Sequence, residues 1–281
     1  MAITTINDSW NGQPRSEIET VLKNELRGLK STDTKLQTQI DLLSESGVAS
    51  TSDLTKVIMG TTKIAFRRTC NPDGSPGDGA PLAVGIDKWA QYARWGNLAA
   101  GILVLVDGGA PILVGLQQED LPWAALDYQN FGTADLPLLR SRSEISKDME
   151  GEKRTAVILA NEKENFGNAP FEDYAAGWCS AYSTYDMREG KWWQPSIGEL
   201  MSIWRHVDAI NICIDVINAA LHDGEPPAEK IGMSYYQSSS EYSKTLIWAM
   251  EMSAGFAFPA SKNGKQASKV LPVSSLEVFL G

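Results

Sequence analysis

Leucine recurs every seven residues at Leu22, Leu29, Leu36 and Leu43, and Leu26 and Ile40 occupy the alternate positions of the same seam. That is the period at which helices wind around one another. An S-x-x-E capping box at Ser16–Glu19 predicts the helix start, because the serine and glutamate side chains each satisfy an orphan backbone donor, and Gly47 marks its end. Asp33 interrupts the apolar seam and Gly28 sits inside the helix. Both cost stability, although a polar seam residue can fix register and strand number. The pattern predicts a coiled-coil stalk over 1–46, with a homotrimer as the expected assembly; one amphipathic helix packed on the main domain is the alternative.

Farther along, the pattern is mixed. A Ser/Thr-rich connector, 47–90, contains a short strand candidate, Lys63–Arg67, and the loop "NPDGSPGDGAP" (71–81), whose glycines lack the setting of a phosphate-binding loop. Two apolar runs, Leu98–Val106 and Ala110–Leu116, flank Asp107-Gly108-Gly109 and predict a hairpin. Tyr174–Tyr182 predicts a helix. A further capping box, Ser196–Glu199, opens a helix from Ile197 to about Val207, with Leu200, Ile203, Trp204 and Val207 at helical spacing. Another helix follows over Ala209–Leu221, then an exposed turn, "HDGEPPAEK". Short strands are predicted at Tyr235–Ser239, Ile247–Ser253, Gly255–Ala260 and Lys269–Val273. The expected class is α+β with short mixed strands and two or more helices, and the main domain is expected over 91–281.

The 281 residues are 43% hydrophobic, with mean hydropathy −0.22, net charge −10 and pI near 4.8. An acidic chain repels phosphates, so neither nucleic acid nor an anionic membrane is an expected partner. The apolar runs fall short of the roughly 18 to 20 residues that cross a bilayer, so no membrane insertion is expected. The first residues show no cationic and apolar secretory signal. Cys70, Cys179 and Cys213 stand far apart and predict reduced thiols instead of a disulfide or zinc framework.

From Gly101 onward, six pieces in order resemble the C-type-lectin-fold variable proteins of diversity-generating retroelements, found in bacteria and their phages. They are "GILVLVDGGAPILVGLQ" (101–117), "AAGWCSAY" (175–182), "KWWQPSIGEL" (191–200), "YYQSSSEY" (235–242), "IWAMEMSAGF" (247–256) and "KVLPV" (269–273). Gln194, Ala249 and Leu271 depart from the family pattern, and the calcium-binding motifs of sugar-binding animal lectins are missing. The resemblance implies a C-type lectin fold and a receptor-binding protein, tail-associated in a phage or otherwise extracellular. Its ligand would be a cell-surface protein or glycan, and it would need no cofactor or metal.

The resemblance also divides the C-terminal stretch in two. Ser238–Glu241, Trp248, Met250, Met252, Gly255, Lys262 and Val270–Val273 would form an invariant frame. Tyr235 and, between the frame residues, Tyr242, Ser243, Thr245, Leu246, Ile247, Ala249, Phe256, Phe258, Pro259, Ala260, Asn263, Ala267 and Ser268 would contact ligand. Each of those named between the frame residues obeys the limit of an asparagine codon randomised at its adenines, which can give Tyr, Ser, Thr, Leu, Ile, Ala, Phe, Pro or Asn but never Trp, Met, Lys, Gln or Glu. Rigid aromatics beside small polar groups suit a paratope. The alternative is that Phe256, Phe258, Leu246 and Ile247 are strand core residues. The Ser238–Glu241 run suits hydrogen bonds that pin irregular backbone.

Two other classes stay open. A structural fibre or baseplate component would use the stalk equally well. An oxidase of the formylglycine-generating type shares the lectin fold but uses a C-terminal cysteine pair or a histidine metal set, and here no cysteine follows Cys213 and the only histidines are His206 and His222. The expectation is a binding protein without catalytic residues.

Overall fold

The computed structural model describes residues 9–10, 13–14, 62–106, 110–124, 136–166, 170–185, 187–263 and 267–280. The predicted stalk and the Asp107–Gly109 turn lie outside them. The chain divides into two compact units, Met1–Lys56 and Val57–Gly281. In the first, β1 (Ser9–Trp10) pairs antiparallel with β2 (Gln13–Pro14).

The second unit is α+β, with two five-stranded sheets. One has the order β12-β6-β5-β3-β4, from β3 (Thr62–Arg67), β4 (Pro81–Val84), β5 (Gly101–Val104), β6 (Ile112–Val114) and β12 (Val273–Ser275). All its pairings are antiparallel. The predicted hairpin is present, with Ile102 opposite Val114. Alternation along these strands serves two faces. Ile64, Phe66, Ile102, Val104, Ile112 and Val114 enter the main core, while Ala65, Leu103 and Leu113 pack with Met187, Trp192 and Phe279. Residues expected to be a connector thus build part of this sheet: β3 pairs with β5, beyond residue 90, and β4 adds to β3 as the edge strand.

The other sheet has the order β10-β9-β8-β11-β7, from β7 (Glu119–Asp120), β8 (Tyr235–Glu241), β9 (Leu246–Glu251), β10 (Phe256–Ser261) and β11 (Lys269–Val270). Only the β8–β11 contact is parallel. Helices α1 (Ile86–Arg94), α2 (Arg142–Ile145), α3 (Gly151–Phe166), α4 (Ala175–Ala181), α5 (Ile197–Trp204), α6 (Val207–Asn218) and α7 (Leu276–Leu280) complete the described residues. The capping box of α5 forms as predicted. The helix stops at Trp204, three residues early, because His206 leaves helical geometry (φ −117°, ψ 10°) and its carbonyl starts α6 by accepting the Ile210 amide at 2.9 Å. Leu200 and Ile203 of α5 and Ile210, Ile214 and Ile217 of α6 join both sheets in one core with Tyr236, Trp248 and Met250.

One buried group works against this core. Gln194 is fully buried, and neither atom of its side-chain amide has a hydrogen-bond partner among the described residues. An unsatisfied buried polar group costs about 1–3 kcal/mol, so Gln194→Leu should raise the unfolding free energy by a similar amount in urea titrations. A destabilised variant would show that the amide is engaged.

Candidate ligand-binding surface

The serine run behaves as the sequence suggests. Ser238 Oγ donates to the Trp248 carbonyl at 2.7 Å, the Ile197 amide donates to Ser240 Oγ at 2.9 Å, and Ser240 Oγ donates to the Asp148 carboxylate. These bonds hold β8 through a register shift between Gln237 and Glu241. Asp148 also accepts from Arg154 Nε at 3.0 Å, so α3 and α5 are tied to the same strand.

Lys262 is the second anchor. Its ammonium pairs with Glu241 and stands 4.3 Å from the Trp123 ring centroid, with both ionic side chains buried. Burial draws the lysine below its ordinary pKa, and Glu241 opposes that. The Lys262 amide donates to the Thr245 carbonyl at 3.2 Å and its carbonyl accepts from the Trp123 amide at 3.1 Å. At the other end of β10, Gly255 adopts φ +66°, and a Cβ there would lie 2.2 Å from the Trp204 ring. The proposed frame is therefore interior: Ser238–Glu241, Trp248, Met250, Met252, Lys262 and residues 270–273 are all buried, and Gly255 is half-buried.

The contact candidates divide. Ile247, Ala249, Ala260 and Ala267 are at most 1% exposed and pack with Trp123, Ile158 of α3 and Tyr174. They are core residues, which corrects the expectation that they face a ligand. β9 alternates between two buried environments, Trp248 and Met250 toward one cluster and Ile247 and Ala249 toward another, so it has no water-facing side at its centre. Tyr235, Tyr242, Ser243, Thr245, Leu246, Phe256, Phe258, Pro259, Asn263 and Ser268 reach solvent wholly or in part.

Three of these form one aromatic group. Tyr235 and Phe256 are 45% and 48% exposed. Tyr235 meets Phe258 edge-on at 5.5 Å, and the Phe256 and Phe258 rings lie nearly parallel at 6.5 Å. The opposite turn, Tyr242 to Leu246, is at the other end of β9 from Tyr235 and Phe256, both opposite Glu251, roughly 17 Å along the strand, while Phe258 is opposite Ala249 between them. There Tyr242 stands edge-on to Trp248 at 5.3 Å, and Ser243 Oγ accepts the Leu246 amide at 3.1 Å. Pro259 is on the edge strand β10, where a missing donor is tolerated. Ser268 lies apart, donating to Asp120 at 2.7 Å; that bond and nearby Lys269 hold the aspartate below its usual pKa.

Sequence reasoning missed Met233, which is 69% exposed beside β8, and a pair of arginines. Arg140 Cζ lies 5.0 Å from the Tyr242 ring centroid and Arg142 Cζ 5.9 Å from that of Phe256. A signal was present: Ser141-Arg142-Ser143-Glu144 is the same S-x-x-E pattern read at Ser16 and Ser196, and it forms the capping box of α2. Leu139, just before it, is tied to the sheet through its amide to Glu241 and its carbonyl to Trp248 Nε1, both at 3.0 Å.

His206 Nδ1 lies 2.8 Å from the Ser202 carbonyl, and His222 Nε2 2.8 Å from that of Ala93. Burial pushes the Cys213 thiol up to about 11 and raises the Cys179 thiol well above its ordinary range. Among the described residues no His, Cys, Asp and Glu cluster could hold a metal, and no helix is long and apolar enough to cross a membrane.

No family model and no curated protein matches this chain. Among solved structures it is similar to a fimbrial protein from Bacteroides ovatus, with a TM-score of 0.40 and 13% identity, over 58% of this chain and 35% of that one.

Proposed function

We propose that this chain is a ligand-binding protein of the C-type-lectin variable type, probing a cell-surface protein or glycan with the surface formed by Tyr235, Phe256, Phe258 and the neighbouring Met233 and Arg142. The stalk region at 1–46 would multiply such heads, raising avidity through effective concentration. The observation that carries this reading is the separation of roles along β8–β10. Frame positions are interior, while Tyr235 and Phe256 stand about half in water and Phe258, packed partly against the Trp123 cluster, joins them in one ring group. Tyrosine, phenylalanine and arginine are also well suited to interfaces, giving much contact area for few rotatable bonds.

The test is Tyr235→Ala, Phe256→Ala and Phe258→Ala combined. Tyr235 and Phe256, about half exposed, contribute about 1 kcal/mol or less each to folding, and Phe258, partly buried against the Trp123 cluster, somewhat more, against about 3–5 kcal/mol for a fully buried aromatic. The triple variant should keep a cooperative melt within several degrees of the parent while its adhesion to host-cell envelopes falls at least tenfold. Collapse of the melt would make the rings core, and unchanged adhesion would remove them from the site. At the genetic level, the coding locus is expected to carry a reverse transcriptase and a near-copy of the C-terminal coding stretch differing only at adenines.

A further inference from the structure

Away from that surface, the segment after α4, the chain after β6, the end of α6 and the turn at 225–228 enclose a cavity of about 430 Å³. Small-molecule sites span roughly 300–1,000 Å³ and combine apolar walls with a few placed polar groups. The walls here are Leu98, Ala99, Leu116, Ile217 and Leu221. Among the described residues Glu225 is the single acidic side chain in the lining, and no lysine, arginine or histidine lines the cavity. Its Oε2 accepts the His222 amide at 3.2 Å, and it takes part in none of the ion pairs among the described residues.

The other polar groups are hydroxyls and rings. Thr184 Oγ1 is shielded from solvent with no hydrogen-bond partner among the described residues. The Tyr182 hydroxyl accepts the Leu116 amide at 3.0 Å, which leaves its proton for an acceptor. Tyr185 is 73% exposed. The rim is held in place before any ligand arrives. Asn218 clamps Ala228 through both amide atoms, at 2.8 and 2.9 Å, and Gln117 Nε2 donates to the Pro227 carbonyl at 2.9 Å. The turn is largely exposed, as its sequence predicts, and its hydrogen bonds also make it a fixed wall whose Glu225 carboxylate has no ion-pair partner among the described residues; preorganisation of this kind lowers the entropic cost of binding.

We propose that this cavity binds a small primary amine with an apolar or aromatic body. The ammonium would sit at Glu225 and against the tyrosine rings, whose faces attract cations, and the body would cover Leu116, Ile217 and Leu221. Charge complementarity selects this occupant, because a carboxylate or phosphate would meet Glu225 with no counter-charge in the lining.

Calorimetric titration of the full chain with phenethylamine, and with phenylacetate as the charge-inverted probe, tests the assignment. Saturable binding of the amine is expected, with phenylacetate at least tenfold weaker. Glu225→Gln keeps the acceptor for the His222 amide and Tyr185→Ala changes an exposed ring, so neither should shift the melt; each should weaken phenethylamine roughly tenfold. Absence of amine binding, equal binding of the acid, or unchanged affinity in Glu225→Gln would overturn the proposal.

Discussion

Lys262→Met is expected to destabilise the protein by about 3–5 kcal/mol, because it leaves the Glu241 carboxylate buried without its cation. Lys262 is fully buried, so water cannot replace the ammonium without opening the packing of Trp123 and the β8–β9 turn. Glu241→Leu alone should cost a similar amount for the mirror-image reason. The double variant, Lys262→Met with Glu241→Leu, should recover most of the loss, since no unpaired charge remains. Urea titrations of the single and double variants, followed by tryptophan fluorescence, measure this directly. A single variant that costs under about 1 kcal/mol, or a double variant as unstable as the sum of the two, would mean that the pair does not anchor this end of the sheet.

The second large effect is one of pH. Glu199 is buried in the capping box of α5, accepting the Ser196 amide at 2.7 Å, and burial lifts its pKa from 4.5 to about 7 despite those bonds. Between about pH 4.5 and 7 the folded protein holds a proton that the unfolded chain has released. Stability must therefore fall as pH rises through this window, by about 3 kcal/mol from this group. Glu199→Gln carries no charge in either state, so its stability advantage over the parent should grow from pH 4.5 to 7 and then level off. The glutamine amide also introduces a donor facing Trp193 Nε1, which costs the same at every pH; the slope tests the idea, not the offset. Parallel stability profiles for parent and variant would show that Glu199 is ionised throughout.

The candidate surface was only half legible in the sequence. The residue types that make it, aromatic and small polar positions between buried Trp, Met and Lys, could be read from the resemblance and the codon pattern. What they do depends on which neighbours cover them. Ile247 and Ala249 alternate with Trp248 and Met250 as a two-faced strand should, yet both sides of β9 are buried, because α3 and Trp123 cover one side and α5 the other. Strand periodicity reports that two faces exist and not which of them meets water. The arginines over Phe256 and Tyr242 come from a turn more than ninety residues earlier in the chain, so no local pattern joins them to the rings.

By itself the sequence determined what depends on near neighbours in the chain. This covers the α5 capping box, the β5–β6 pairing from two apolar runs, the glycine- and proline-rich loop before β4, the short strands β8 to β10, and the acidic surface. Tertiary structure alone decided what depends on partners far away. The clearest case is α3, whose inward face is Gly151, Arg154, Thr155, Ile158 and Glu162. The spacing is helical, but three of the five residues are polar, so no hydrophobic period announces the helix. Arg154 and Thr155 can be buried because Asp148 accepts from Arg154 and Thr155 Oγ1 accepts the Gln194 backbone N–H at 3.0 Å. A buried polar side chain is stabilised where the fold brings it a partner and costs stability where, as at Gln194, it does not, and that partner is not written beside it in the chain.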